Sequence, residues 1–169
     1  GGNVLVDPYY VNNHQAADST LEMLKRWYDF LVEHDEILMD RRIAEVTDSF
    51  AGPLNEDIEV EYDNLCVTED PREGAVWRRV TMTPHGLVVH LINLVGQKDT
   101  LWDSPKRSGI LLEGGRLIMR RCAGRTPRVF VADPDSSGHL EELRVHCEGA
   151  QVKVDLPPLQ VWQVLRVIL

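Results

Sequence analysis

Apolar positions follow a helical period in the first third of the chain and a strand period in the rest. Leu21, Leu24, Tyr28, Leu31 and Leu38 are spaced by three, four and seven, which puts them on one face of a helix. Trp27 and Ile37 widen the stripe, while Lys25, Arg26, Glu33 and Glu36 lie off it. Ser19 and Glu22 form an S-x-x-E capping box, so the spacing predicts a helix over residues 19–40. A second helical stretch is expected over residues 42–49, with Gly52-Pro53 ending it.

Beyond Pro53 the pattern alternates. Val76, Val80 and Met82 interleave with Trp77, Arg79 and Thr81, and Pro84-His85-Gly86 reads as a hairpin turn. Residues 87–95 are apolar on both faces, as expected of a central strand covered twice. Further strands are expected at 116–122, 128–132, 140–147, 151–156 and 159–169, separated by turns at 133–138, 148–149 and 157–158. Glu56, Asp57, Glu59, Glu61 and Asp63 alternate with Ile58, Val60 and Tyr62, the pattern of an edge strand whose charges oppose aggregation. Short strands at this spacing predict a mainly β protein: an antiparallel, Greek-key-like β-sandwich preceded by one or two α-helices. The expected division is a helical segment over residues 1–52 and the sandwich over 53–169.

The 169 residues, 43% of them hydrophobic, suffice for one packed domain or a domain plus part of another. The net charge of −9 argues against nucleic acid as a partner. No run of about 18 apolar residues exists to cross a membrane as a helix. The first eight residues have neither a basic region nor a long apolar stretch, so they are not read as a signal peptide. Residues 1–75 hold 18 acidic and 5 basic side chains against 9 and 13 in the remainder, an asymmetry that suggests two structural units or one unit taken from a larger neighbour. Cys66, Cys122 and Cys147 include no C-x-x-C pair, so neither zinc nor a disulfide framework is expected. Buried thiols are the expectation, with a Cys122–Cys147 bridge open in an oxidising compartment.

Several of these stretches together resemble a known family. Asp7-Pro8-Tyr9-Tyr10-Val11-Asn12-Asn13-His14, followed by a helix carrying Trp27-Tyr28-Asp29-Phe30-Leu31, resembles the end of the catalytic barrel in family-66 glycoside hydrolases. These are the dextranases and the cyclic isomaltooligosaccharide glucanotransferases. Val89-His90-Leu91-Ile92-Asn93-Leu94-Val95-Gly96, then Trp102-Asp103, is similar to the most recognisable strand of the sandwich that follows the barrel, although the Arg usual between Trp and Asp is missing. Residues 129–135 and 154–162 match the closing strands. The resemblance implies a non-catalytic C-terminal region that buttresses an upstream barrel of the same polypeptide and contacts α-glucan. The catalytic Asp and Glu of such enzymes would lie upstream, and no residue here inherits their roles. The alternative is an independent carbohydrate-binding or protein-interaction module.

Tyr9, Tyr10, Asn12, Asn13 and His14 combine aromatic faces with amides, a mixture that suits a sugar, and a plain structural loop is the competing reading. Trp102, in a polar stretch, is the candidate stacking platform; Trp77 is a second, weighed against packing on the sandwich. Asp133-Pro134-Asp135-Ser136-Ser137-Gly138 opens like a calcium loop, but Arg144 replaces the closing Glu, so a turn is favoured over a partial cation site. His90 is read as a hydrogen-bonded structural histidine and Trp162 as core. No catalytic residue, metal or cofactor is expected, and an unpartnered helix face would allow a homodimer.

Overall fold

A computed structural model describes residues 18–52, 55–101, 109–120, 122 and 125–169. In chain order its elements are α1 (Asp18–Glu33), α2 (Asp35–Leu38), β1 (Ala44–Glu45), a 3-10 turn (Thr47–Phe50), β2 (Ile58–Glu61), β3 (Val67–Thr68), β4 (Val76–Thr83), β5 (Gly86–Asn93), β6 (Arg116–Met119), β7 (Arg128–Ala132), β8 (Glu141–Leu143), β9 (Val145–Glu148), β10 (Gln151–Asp155) and β11 (Trp162–Ile168). They form two sheets. The larger has the order β1-β4-β5-β11-β7-β8, with β3 parallel to the start of β4; the smaller runs β2-β6-β10-β9. All other pairings are antiparallel, and the fold is mainly β, a sandwich as the alternation predicts.

The alternation of each strand sets what it contributes to the space between the sheets. Val76 and Val80 of β4, Val89 and Leu91 of β5 and Leu165 and Val167 of β11 meet Leu117 and Met119 of β6 and Val152 and Val154 of β10. The even positions of β5 point the other way. Val88 joins Val164, Ala132, Phe30 and Ile37 in a second apolar cluster on the outer face of the large sheet. β5 is therefore central and buried on both faces, as its continuous apolar run implies.

β2 is an edge strand. Ile58, Val60 and the following Tyr62 are buried, while Glu59 and Glu61 face Arg120 and Arg116. A core-facing residue of β4 breaks the apolar pattern. Arg78 lies between Val76 and Val80, almost fully buried. Its guanidinium donates to the Ile58 and Phe50 carbonyls and to the Glu69 carboxylate, so the charge is paired and most of its donors are satisfied.

Four expectations are corrected. The helix expected over 19–40 breaks at His34 into α1 and α2, and Ser19 lies inside α1, where it is no N-cap. The helix expected over 42–49 is instead β1 and a 3-10 turn. There Val46 N–H donates to Val80 O and Val80 N–H donates to Thr47 Oγ1, so pairing with β4 overrides helical propensity. The strand expected over 140–147 splits at Arg144: β8 pairs with β7 in the large sheet and β9 with β10 in the small one, so the chain changes sheet at this corner. The cysteines are not buried thiols. Cys66 and Cys147 are exposed and Cys122 is half-buried, all three free, and Cys147 is exposed because β9 is an edge.

The β4–β5 hairpin turns on Gly86, whose φ is +118°, and a Cβ there would lie 2.3 Å from Val167 O. Gly86→Ala is therefore expected to lower stability by roughly 1–3 kcal/mol, measured by urea denaturation against the unchanged chain.

Candidate functional site

The helix is joined to the sandwich by its side chains at spacings of three and four. Trp27, Phe30, His34 and Ile37 form the side that meets the large sheet. Phe30 packs edge-on to Trp162 at 5.3 Å and to His34 at 4.7 Å, and Trp27 lies 5.8 Å from Trp162. Trp162 is half-buried between this helix and the sheet, where it stacks on His90 at 6.1 Å and 10° between planes. It is core, but of the helix–sheet layer. His90 is buried, with Nε2 3.4 Å from Thr81 Oγ1. Burial, reinforced by the Arg79 charge, pushes its pKa down to about 4, which suits a structural neutral imidazole.

The Asp133–Gly138 segment is a turn latched to α1. Asp133 O accepts from the N–H groups of Ser136 and Gly138, both at 3.1 Å, and Asp133 Oδ1 accepts from Asp135 N–H at 2.7 Å. Asp135 Oδ1 accepts from Arg26 Nη2 at 2.8 Å and from Trp27 Nε1 at 3.1 Å. His34 Nε2 donates to Gly138 O at 2.6 Å, and His139 Nδ1 donates to Glu33 at 2.7 Å. The Asp135 carboxylate that calcium-loop spacing would aim at a cation is thus spent on the helix. Arg166 adds a bond to Glu36 at 3.3 Å.

Asn93 has a role that sequence reasoning missed. Its Nδ2 donates to Ile110 O at 2.7 Å and Gln160 O at 2.9 Å, and its Oδ1 accepts from Val95 N–H at 3.0 Å. One buried amide thus ties three connections at one end of the sandwich. In the His-Leu-Ile-Asn run, Leu91 fills the inner apolar layer while His90 and Asn93 hold polar contacts. An amide at the end of an apolar strand was the available signal.

The other side of α1 is unpartnered among the described residues. Leu21, Tyr28 and Val32 are spaced by seven and four on the side opposite Phe30, and are 40%, 41% and 74% exposed. The helix therefore has two apolar sides, and the sandwich takes the one centred on Phe30. Leu31 and Leu38 border the packed cluster.

Of the sugar-contact candidates, Tyr9, Tyr10, Asn12, Asn13, His14 and Trp102 lie outside the described residues. Trp77 is half-buried on the outer face, its Nε1 donating to Glu69 O at 2.8 Å. At the end of the sandwich beside the latched turn lies a cavity of about 370 Å³ lined by Asp133, Glu141 and Gln163 among others. Burial raises the Asp133 pKa above the ordinary carboxylate value.

Fold and layer together define a β-sandwich module carrying a two-sided helix. The model of glycosyl hydrolase family 66 matches residues 1–166, and the chain belongs to that family. It is 24% identical over 171 residues to a cycloisomaltooligosaccharide glucanotransferase of Niallia circulans, covering 96% of this chain and 17% of that relative. A cycloisomaltooligosaccharide glucanotransferase from Paenibacillus sp., solved with cycloisomaltoheptaose, shares the fold with a TM-score of 0.73 and 22% identity, over 90% of this chain and 21% of that one. The chain thus spans about a fifth of the length of these relatives.

The imidazole at His90 makes folding pH-dependent. The unfolded side chain binds a proton near 6.5 and the folded one near 4, so between these values the unfolded state holds more protons. The His90 contribution is complete above about 6.5 and is lost as pH falls toward 4. Urea midpoints measured across this window should fall with pH, and His90→Phe, which keeps an aromatic ring against Trp162, should flatten that slope.

Proposed function

We propose that this chain is a non-catalytic C-terminal β-sandwich region of an α-glucan-active glycoside hydrolase, with residues 1–52 as the helical link to an upstream barrel and 53–169 as the sandwich. The observation that carries this reading is the apolar stripe Leu21–Tyr28–Val32, which faces away from the sheet that buries the opposite side of the same helix. A helix apolar on two sides is a bridge between two cores. The short span relative to the family's longer members supports the same view. The sandwich then serves as a rigid buttress, its position fixed by the Arg26, Trp27 and His34 bonds to the Asp133–Gly138 turn. Tyr9, Tyr10, Asn12, Asn13, His14 and Trp102 are the positions proposed for contact with glucan.

Two measurements test this. The purified chain should release no product from dextran; turnover that a point change within the chain abolishes would overturn the non-catalytic role. In a gene product that includes the upstream region, Tyr28→Asp with Val32→Asp should lower stability by roughly 2–4 kcal/mol, the loss of two apolar burials. The same pair should leave the stability of the chain alone nearly unchanged. Equal effects in both proteins would remove the bridge.

A further inference from the structure

We propose that the free edge of β9 is an interface for a second copy of this chain, which adds its own β9 antiparallel, with His146 of one copy opposite His146 of the other. Such pairing is independent of the helix bridge and of any contact with carbohydrate.

β9 ends the small sheet beyond β10, and His146, Cys147 and Glu148 are exposed. The two strands are joined by the short turn Gly149-Ala150, with Gly149 at a φ of +63°. A turn of this length makes Glu148 and Gln151 the hydrogen-bonded pair. Bonding then alternates along the ladder. His146 also turns its N–H and C=O toward β10, while Val145 and Cys147 aim theirs at the open side. Among the described residues no backbone group outside the hairpin meets them. The edges at β2, β8 and β1 are blunted: β2 carries Glu59 and Glu61, β8 carries Glu141 and Glu142, and β1 is a single dipeptide followed by a 3-10 turn. β9 has neither a proline nor an inward charge, because Val145 and Cys147 share the inner face with Val154 and Val152.

Charge complementarity selects the occupant. An antiparallel copy centred on His146 sets Val145 against Cys147 of the second copy, and Cys147 against its Val145. The outward N–H and C=O groups of both residues are then matched in register. The same register sets Glu148 opposite Arg144 of the second copy, and Arg144 opposite its Glu148. Arg144 has no ion-pair partner among the described residues. Lys153 Nζ donates to Oε2 of Glu148 at 2.6 Å, which leaves Oε1 to accept from a facing guanidinium. A register centred instead on Cys147 puts Val145 opposite Gly149, inside the turn, and takes Arg144 away from Glu148. An edge whose charges complement those of its own copy selects itself over an unrelated strand, and such a two-fold contact closes at a dimer.

Sedimentation equilibrium of the chain carrying Tyr28→Asp and Val32→Asp, under reducing conditions, tests this. That background removes the outer helix face and any intermolecular disulfide as sources of association. A dimer with a Kd on the order of 100 µM is expected for so short a contact. Arg144→Glu sets carboxylate opposite carboxylate and should weaken the dimer about tenfold, and adding Glu148→Arg should restore it. Cys147→Pro removes an N–H that points away from β10, so the hairpin is kept while the dimer is lost. Circular dichroism matching the parent chain checks that each variant folds. A chain that stays monomeric up to about 1 mM would overturn the proposal. So would a dimer that neither Arg144→Glu nor Cys147→Pro weakens.

Discussion

A strand apolar on both faces can be stable only in a sheet covered on both sides, and β5 imposes that condition on the whole molecule. Leu87, Val89 and Leu91 require the second sheet; Val88 requires the helix. Each burial of this kind is worth roughly 1.5–3 kcal/mol per side chain relative to exposure. An uncovered outer face would forfeit several of them at once. The sandwich and the leading helix are therefore held together by one strand's composition.

Polar groups fix how the layers sit. Apolar contact is nondirectional, so on its own it would let the helix slide and rotate over the sheet. The bonds from Arg26 and Trp27 to Asp135 and from His34 to Gly138 set both the height and the rotation of α1. Asn93 does the same for the loops at the end of the sheet, and Arg78 for the edge strand of the facing one. The rotation chosen leaves Leu21, Tyr28 and Val32 outward, which turns a covering helix into one with a second apolar surface.

The family assignment and the local bonding address different questions. The chain belongs to glycosyl hydrolase family 66 and spans only about a fifth of the length of the relatives it matches. Function for a part of this size is a matter of what it holds and where. The Asp133–Gly138 turn is clamped to α1 by the Arg26, Trp27 and His34 bonds.

Strand periodicity was legible from sequence because inward and outward positions alternate with period two: the alternation of Val152, Val154 and Leu156 and the double-sided run of β5 both specified their burial. The edge character of β2 was equally local, written in its alternating carboxylates. Tertiary structure decided the rest. Residues 42–49 carry helix-compatible side chains but form β1 because Val80 offers unpaired backbone groups beside them. The break at Arg144 depends on which sheet each half can reach, which no short-range pattern encodes. Periodicity picked out the Leu21–Leu24–Tyr28–Leu31–Leu38 side of the helix as its apolar face, whereas the sheet buries the Phe30 side and leaves Leu21 and Tyr28 exposed. Only the sheet's Trp162, Val164 and Ala132, together with the Asp133–Gly138 turn, selected the Phe30 side. The sequence determined which residues seek burial; long-range directional bonds decided against what.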